Sequence, residues 1–205
     1  MPRKRELGSA GCGRDSSAAA SEEFRVSAAR LKVTLRDDPE RARYEYRLRL
    51  EATTDTPARY WFYHLPASAT PIDCIRAWDH EGALRTGLFG AEGGGSRLEV
   101  RLRSACPGRR AYSFGFAFER GVRSVVVPAG PSTITTCADH VRFALPCAVL
   151  DVSVEMPAGA EHVASMPSST ARDARVHFRT WMVRPHEQVS FLVSYRQTPP
   201  MSPPG

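Results

Sequence analysis

The chain has 205 residues, of which 42% are hydrophobic and 24% are charged, and its formal net charge is +6 at pH 7. This length can bury a substantial core, either as one large domain or as two small ones. No apolar run approaches the ~18–20 residues that a membrane-spanning helix requires. The basic start of the chain also lacks the apolar stretch of a signal peptide. The sequence therefore predicts a cytoplasmic protein that does not associate with a membrane.

Arginine carries almost all of the positive charge, because lysine occurs only at positions 4 and 32 among 28 basic side chains. A guanidinium group binds phosphate and carboxylate bidentately, so an arginine-rich surface can hold anions. A GC-rich coding sequence would produce the same excess, together with the plentiful alanine, glycine and proline of this chain. We favour the second explanation, since net charge alone reports on solubility and non-specific association.

The cysteines and histidines show no metal-binding pattern. None of the five cysteines has a partner at the C-x-x-C spacing of zinc sites, and the six histidines form no H-x-H pair. Without an export signal, we expect reduced thiols rather than disulfides. The sequence predicts neither a bound metal nor a cofactor.

The two ends of the chain differ in composition from its middle. Residues 1–23 are rich in serine, alanine, glycine and charge, and they cannot bury enough apolar surface to fold. Residues 197–205 are proline-rich and cannot enter a sheet interior. We predict disordered tails at both ends and a folded domain over residues 24–196.

Between the tails the dominant hydrophobic period is two, which is typical of half-buried strands. In "RYEYRLRLEA", Tyr44, Tyr46, Leu48 and Leu50 fall on one face, while arginine and glutamate fall on the other. The segments "RLEVRLR" and "AYSFGFAFER" alternate in the same way, and several later segments continue the pattern. No segment of twelve or more residues has a helical apolar stripe.

Turn signals recur between these segments, as in "WDHEGAL", "PAGPS" and "MPAGAE". Roughly ten or more short, mostly antiparallel strands must stack as two sheets or close into a barrel to bury their apolar faces. We predict an all-β fold, an antiparallel β-sandwich. It forms either one domain or two packed β-subdomains, with a seam near residues 127–132.

The densest aromatic stretch is "RYWFYHLP", residues 59–66. As a strand it places Tyr60 and Phe62 on one face and Trp61 and Tyr63 on the other, so that both faces are apolar. This pattern is typical of a central strand that is covered on both sides. It is also typical of an interface core, where aromatic side chains bring a large contact area. We take Tyr60, Trp61, Phe62 and Tyr63 as candidate partner-binding residues.

Four arginines are candidates for an electrostatic surround of this aromatic patch. Arg47 and Arg49 lie in one predicted strand, and Arg101 and Arg103 follow each other in another. If the two strands share a sheet, these side chains form a basic stripe that can dock an acidic protein, a phosphate backbone or a nucleotide. Glutamates share the same faces, so the alternative is a solvated face that is neutralised by cross-strand ion pairs.

The sequence contains no Walker loop, nucleophile elbow or H-E-x-x-H motif. Cys137, Asp139 and His140 lie together in "CADH". Neighbours in an extended chain do not generally face each other, however, and no third group orients the pair. We therefore predict no catalytic residues.

The function that these observations favour is that of a non-enzymatic binding module, which contacts another protein or a second copy of itself through the aromatic patch. An arginine-rich domain that binds nucleic acid or a nucleotide is the alternative. An enzyme whose active site is built from loops is the third possibility.

Overall fold

A computed structural model describes most of the chain between residues 24 and 198. The described residues are 24–52, 60–65, 72–90, 95–103, 111–169, 171–172 and 174–198. They form fourteen strands: β1 (Phe24–Leu35), β2 (Arg41–Ala52), β3 (Tyr60–Leu65), β4 (Asp73–Asp79), β5 (Gly82–Gly90), β6 (Ser96–Arg101), β7 (Ala111–Gly121), β8 (Arg123–Ala129), β9 (Ser132–Arg142), β10 (Cys147–Glu155), β11 (Glu161–Met166), β12 (Ala171–Arg172), β13 (Arg175–Val183) and β14 (Gln188–Gln197).

The strands form two sheets of unequal size. The large sheet has ten strands in the order β12-β13-β10-β1-β2-β7-β4-β5-β6-β3, and the small sheet has four in the order β11-β14-β9-β8. Among the described strands, β1 and β10 pair in parallel and the remaining pairs are antiparallel. The predicted all-β, mostly antiparallel fold is confirmed. The predicted tails lie outside the described residues, apart from positions 197 and 198.

The period-two alternation decides which side chains form the core. Tyr44 and Tyr46 of β2 are each 1% exposed, as their spacing predicts. Their rings stack on Phe118 and Phe116 of β7, with centroid separations of 5.4 and 4.7 Å. The inner faces of both sheets contribute to a single cluster of buried apolar residues. Burial of this cluster is the main favourable term for folding.

The predicted turns lie where strands reverse. β4 ends at Asp79 and β5 begins at Gly82, whose φ of +124° favours glycine. Gly130, at φ +67°, turns β8 into β9. Residues 127–132, which the sequence marks as a seam between possible subdomains, form this hairpin within the small sheet.

One buried ion pair joins the two sheets. Arg120 of β7 in the large sheet is 7% exposed, and one of its terminal nitrogens donates hydrogen bonds of 2.8 and 2.7 Å to the two carboxylate oxygens of Asp139 in β9. The Tyr44 hydroxyl donates to the same carboxylate, and the Arg120 guanidinium lies 4.5 Å from the centre of the Tyr44 ring. Burial, reinforced by the charge of Asp139, holds the pKa of Tyr44 well above its ordinary value. We call Tyr44, Arg120 and Asp139 the inter-sheet cluster.

The substitution Asp139→Ala tests the contribution of the inter-sheet cluster to stability. It leaves the Arg120 guanidinium buried without its carboxylate, so we expect a loss of about 3–5 kcal/mol in the free energy of unfolding, measured by urea denaturation. The double variant Arg120→Met, Asp139→Leu should recover part of this loss, because it removes both charges.

Asp73→Ala is the control for this experiment, since it breaks an ion pair with Arg41 in which both side chains are about half exposed. Its effect should be clearly smaller, because solvent screens exposed pairs. Equal losses for Asp73→Ala and Asp139→Ala would contradict a special role for the buried pair.

Candidate functional site

The aromatic stretch forms β3, which is the outermost strand of the large sheet and pairs with β6. Its side chains alternate strictly between the two faces. Trp61, Tyr63 and Leu65 point into the core, whereas Tyr60, Phe62 and His64 lie on the outer face. Among the described strands β3 therefore lies at the edge of the sheet, and the expectation of a central strand covered on both sides is wrong.

Two of the four predicted contact residues belong to the core. Trp61 is 4% exposed, and its ring meets Phe114 edge-on at 5.9 Å. Tyr63 is 5% exposed, and its hydroxyl shares a 2.6 Å hydrogen bond with that of Tyr46. Burial raises the pKa of Tyr63 to about 12. A partner cannot reach either side chain on the folded domain, which corrects the prediction for Trp61 and Tyr63.

The other two predicted aromatic residues lie beside the outer side chains of β6 and β5. The strand register places His64 opposite Arg97, and Arg97 opposite Phe89. Four residues further along, Tyr60 lies opposite Arg101, and Arg101 opposite Arg85. This arrangement brings together residues that are distant in sequence. We call them the aromatic–arginine face: Tyr60, Phe62, Arg85, Phe89, Arg97 and Arg101.

The rings and one guanidinium group of this face form a stacked row. Tyr60 and Phe62 are nearly parallel, at an interplanar angle of 17° and a centroid separation of 6.4 Å. The Arg97 guanidinium carbon lies 4.8 Å from the Phe62 ring centre and 5.9 Å from the Phe89 ring centre. Each such contact contributes about 0.5–1 kcal/mol at an exposed site. Arg97 therefore connects the aromatic side chains of β3 and β5.

A glycine sets the position of the Phe89 ring. A Cβ atom added at Gly87 would lie 2.7 Å from the nearest ring atom of Phe89, closer than real Cβ contacts. The ring thus folds back over its own strand, where only a residue without a side chain leaves room. Phe89 still exposes 46% of its surface and Tyr60 exposes 40%. Both ends of the stacked row are open to a ligand.

The aromatic–arginine face carries a positive charge. Among the described residues, the one carboxylate that balances its three arginines is Glu99, which lies between Phe62 and Gly87 in the strand register. Burial, together with the neighbouring Arg97 guanidinium, lowers the pKa of His64 below its ordinary value. The lowered pKa disfavours a charged imidazole at His64, so arginine supplies the excess positive charge of the described face.

The four predicted arginines do not form one stripe. β2, which carries Arg47 and Arg49, lies four strand positions from β6, so the two strands are about 19 Å apart. Arg103 follows β6 and donates to the carboxylate of Asp79 at 3.4 Å and to the carbonyl oxygen of Ala83 at 3.1 Å. Arg103 thus fixes the β4–β5 hairpin. Of the four arginines, only Arg101 belongs to the aromatic–arginine face.

The residues of "CADH" lie on opposite faces of β9. Cys137 is buried, and burial raises the pKa of its thiol to about 11. Asp139 points into the core with it, whereas His140 lies on the other face of the strand. Within the described ranges, no group of three or more histidine, cysteine, aspartate or glutamate side chains is placed to hold a metal ion. The described residues also include no helix that is long and apolar enough to cross a membrane.

Comparison with known proteins finds similarity of fold alone. No protein-family model matches the sequence, and no curated protein matches it. Leukotriene A4 hydrolase from Saccharomyces cerevisiae is similar in structure with a TM-score of 0.54 and 10% sequence identity, over 84% of this chain and 29% of that chain. An M1 zinc metallopeptidase from Deinococcus radiodurans gives a TM-score of 0.52 and 12% identity, over 84% of this chain and 42% of that chain. This chain thus spans less than half the length of these solved chains.

Trp61→Ala and Phe62→Ala separate the two faces of β3 by stability. Trp61→Ala empties a buried site, so we expect a loss of about 3–5 kcal/mol in the free energy of unfolding. Phe62→Ala removes a partly exposed ring, so its loss should be less than half as large. Urea denaturation of both variants measures the difference, and equal losses would contradict the assignment of opposite faces.

Proposed function

We propose that this chain is a non-enzymatic protein-binding module whose aromatic–arginine face holds an extended, acidic segment of a partner protein. The observation that carries the proposal is the exposed row of Tyr60, Phe62, Arg97 and Phe89 at the edge of the large sheet. Tyrosine, phenylalanine and arginine are enriched where proteins meet, because they combine large contact area with directional polar groups.

The charge of the face selects the chemistry of the partner. Arg85, Arg97 and Arg101 outnumber the single carboxylate of Glu99. Two copies of this chain that met through this face would bring like charges together, which costs free energy. An acidic segment of another protein is therefore favoured over the self-association that the sequence also suggested.

The free edge of β3 favours an extended peptide. Within the described part of the chain, β3 pairs with β6 on one side and with no strand on the other. An unpaired strand edge offers a row of N–H and C=O groups to which a peptide can add as a further strand. Alternate side chains of such a strand would lie over Tyr60 and Phe62, which is how strand addition gains specificity.

The comparisons are compatible with a module that acts in contact with other protein domains. In the solved hydrolase and metallopeptidase chains, the similar region makes up 29% and 42% of a longer polypeptide. Peptidase activity is not part of the proposal, since the likeness extends to the fold alone. A cytoplasmic location is part of it, and the free thiols of Cys74, Cys137 and Cys147 support that location.

Single-stranded nucleic acid is the second candidate ligand. The observation in its favour is that arginines alternate with aromatic rings on one face, the arrangement on which successive bases stack. We rank it second because strand addition at β3 uses backbone groups that a nucleic acid would leave unpaired. The same set of variants distinguishes the two ligands.

The experiment is selection from a displayed library of random peptides on the full chain, followed by fluorescence anisotropy with the enriched peptides. We expect acidic sequences with alternating apolar residues, and affinity at least about tenfold lower for Phe62→Ser and for Arg97→Gln. Val127→Ser is the matched control, since it removes a 53% exposed side chain from the small sheet. Circular dichroism checks that each variant keeps its fold.

Two outcomes would overturn the proposal. Selection that enriches no acidic peptides, or enriched peptides that bind Phe62→Ser and Arg97→Gln as tightly as the wild type, would remove the face as a peptide site. Tight binding of oligothymidine that weakens steeply with salt and is lost in Phe62→Ser would replace the peptide by single-stranded nucleic acid.

A further inference from the structure

A second surface of the large sheet lies away from the aromatic–arginine face. It is an open groove of about 800 Å³ on the outer side of β13, β10, β1 and β2. Along the sheet, β2 is five strand positions from β3, or about 24 Å. We call it the basic groove, after the cationic residues that line it: Arg30, Lys32, Arg47, Arg175 and Arg179.

The strand register places two arginines directly opposite each other in this groove. Arg30 of β1 pairs across the sheet with Arg47 of β2, and both point away from the core. Side chains opposite each other on adjacent strands have Cβ atoms about 4.5–5.5 Å apart, and like charges in such a pair are destabilising. On its other side Arg30 lies opposite Asp151 of β10, which is itself opposite Arg179.

The carboxylates near the groove are already bound to other cations. Asp151 accepts hydrogen bonds from Arg179 at 2.5 and 3.2 Å. Glu45 accepts from Arg47 at 3.1 Å. The third carboxylate, Glu155, lies 2.6 Å from the Lys32 ammonium and 2.8 Å from the Arg175 guanidinium. Each carboxylate is therefore compensated without Arg30.

The positive charge of Arg30 is not compensated by any of these three carboxylates. Among the described residues Arg30 has no hydrogen-bond or ion-pair partner, although it lines the groove. Five cations face three carboxylates, so the groove carries an excess of two positive charges. Hydrogen bonds from Lys32 and Arg175 hold the pKa of Glu155 below its ordinary value, which keeps this carboxylate charged and paired. Because Arg47 is paired with Glu45, the surplus at this point is the charge of Arg30, and the second surplus charge lies with Lys32 and Arg175, which share Glu155.

We propose that the basic groove binds a phosphate group between Arg30 and Arg47. A dianionic oxyanion at this point accepts hydrogen bonds from two guanidinium groups and offsets their mutual repulsion. Inorganic phosphate and the phosphomonoester of a larger ligand present the same group. The site does not depend on the proposed function, because it uses different residues on distant strands.

Isothermal titration of the full chain with inorganic phosphate, at an ionic strength held constant with sodium chloride, tests the site. We expect one phosphate per chain, and affinity at least about tenfold lower for Arg30→Gln and for Arg47→Gln. Arg196→Gln is the matched control, since Arg196 is an exposed arginine on β14, outside the groove. It should bind phosphate as the wild type does.

Asp151→Asn gives the converse result. Asp151 is the carboxylate that binds Arg179 at the end of the row formed by Arg47, Arg30, Asp151 and Arg179, and it competes with phosphate for this guanidinium group. The variant removes its negative charge, so phosphate should bind to the variant more tightly than to the wild type. In buffer without phosphate, Arg30→Gln should unfold at an equal or higher urea concentration than the wild type, because it relieves the repulsion with Arg47. If Arg30→Gln instead lost phosphate binding because it misfolds, it would unfold at a lower urea concentration than the wild type.

Titration with adenosine monophosphate and with phosphoserine identifies the source of the phosphate group. Tighter binding of either compound than of phosphate indicates a larger ligand, and equal binding indicates the free ion. The proposal is overturned if phosphate binding is undetectable, or if Arg30→Gln and Arg47→Gln bind phosphate as Arg196→Gln does.

Discussion

The small sheet and the core cover one face of the ten-stranded sheet, and this constraint determines what the described part of the other face can do. In β2, every second residue from Ala42 to Leu50 belongs to the apolar cluster, so the intervening residues must face outward. Because neighbouring strands are in register, these outward residues form rows across the sheet. The aromatic–arginine face and the basic groove are both made of such rows, from residues that are far apart in sequence.

The edges of the two sheets differ in what they offer a partner. β8, at the edge of the small sheet, exposes Val125, Val126 and Val127, and its Pro128 lacks an N–H group. These valines supply apolar area without a charge that would select one partner over another. β3 instead combines exposed rings with the neighbouring arginines of β6 and β5. Selectivity needs attraction that a wrong partner does not share, so β3 is the better recognition edge.

Local pattern made much of the fold predictable, because alternation and turn chemistry are encoded within a few residues. Tyr44 and Tyr46 were assigned to the core on spacing alone, and Gly82 to a hairpin turn. The same rule already placed Trp61 and Tyr63 on the opposite face from Tyr60 and Phe62. The error was to treat four consecutive aromatic residues as one patch, although a strand cannot present all four on one face.

Pairing between distant segments was not predictable, because it depends on the register of the whole sheet. β1 pairs with β10 across more than one hundred residues, and nothing in either segment specifies the other. For the same reason the sequence did not associate Arg97 with Phe62 and Phe89, or Arg120 with Asp139. Such contacts form only when the chain segment between the two residues closes into a loop. Alternation determines the face that each residue occupies, but it does not determine which distant residue lies beside it.

The positions of the arginine side chains in the structure show how the protein uses its excess of arginine. A biased coding sequence explains the number of arginines but not their use. Arg97 lies over two aromatic rings, and Arg120 holds both oxygens of a buried carboxylate. The contact of Arg97 exploits a planar, permanently charged group that stacks on rings, and the compact, strongly hydrated ammonium of lysine would not reproduce it. Arg30 has the same group with no partner among the described residues, so the chemistry used inside the protein at Arg120 is available at the surface to an external oxyanion.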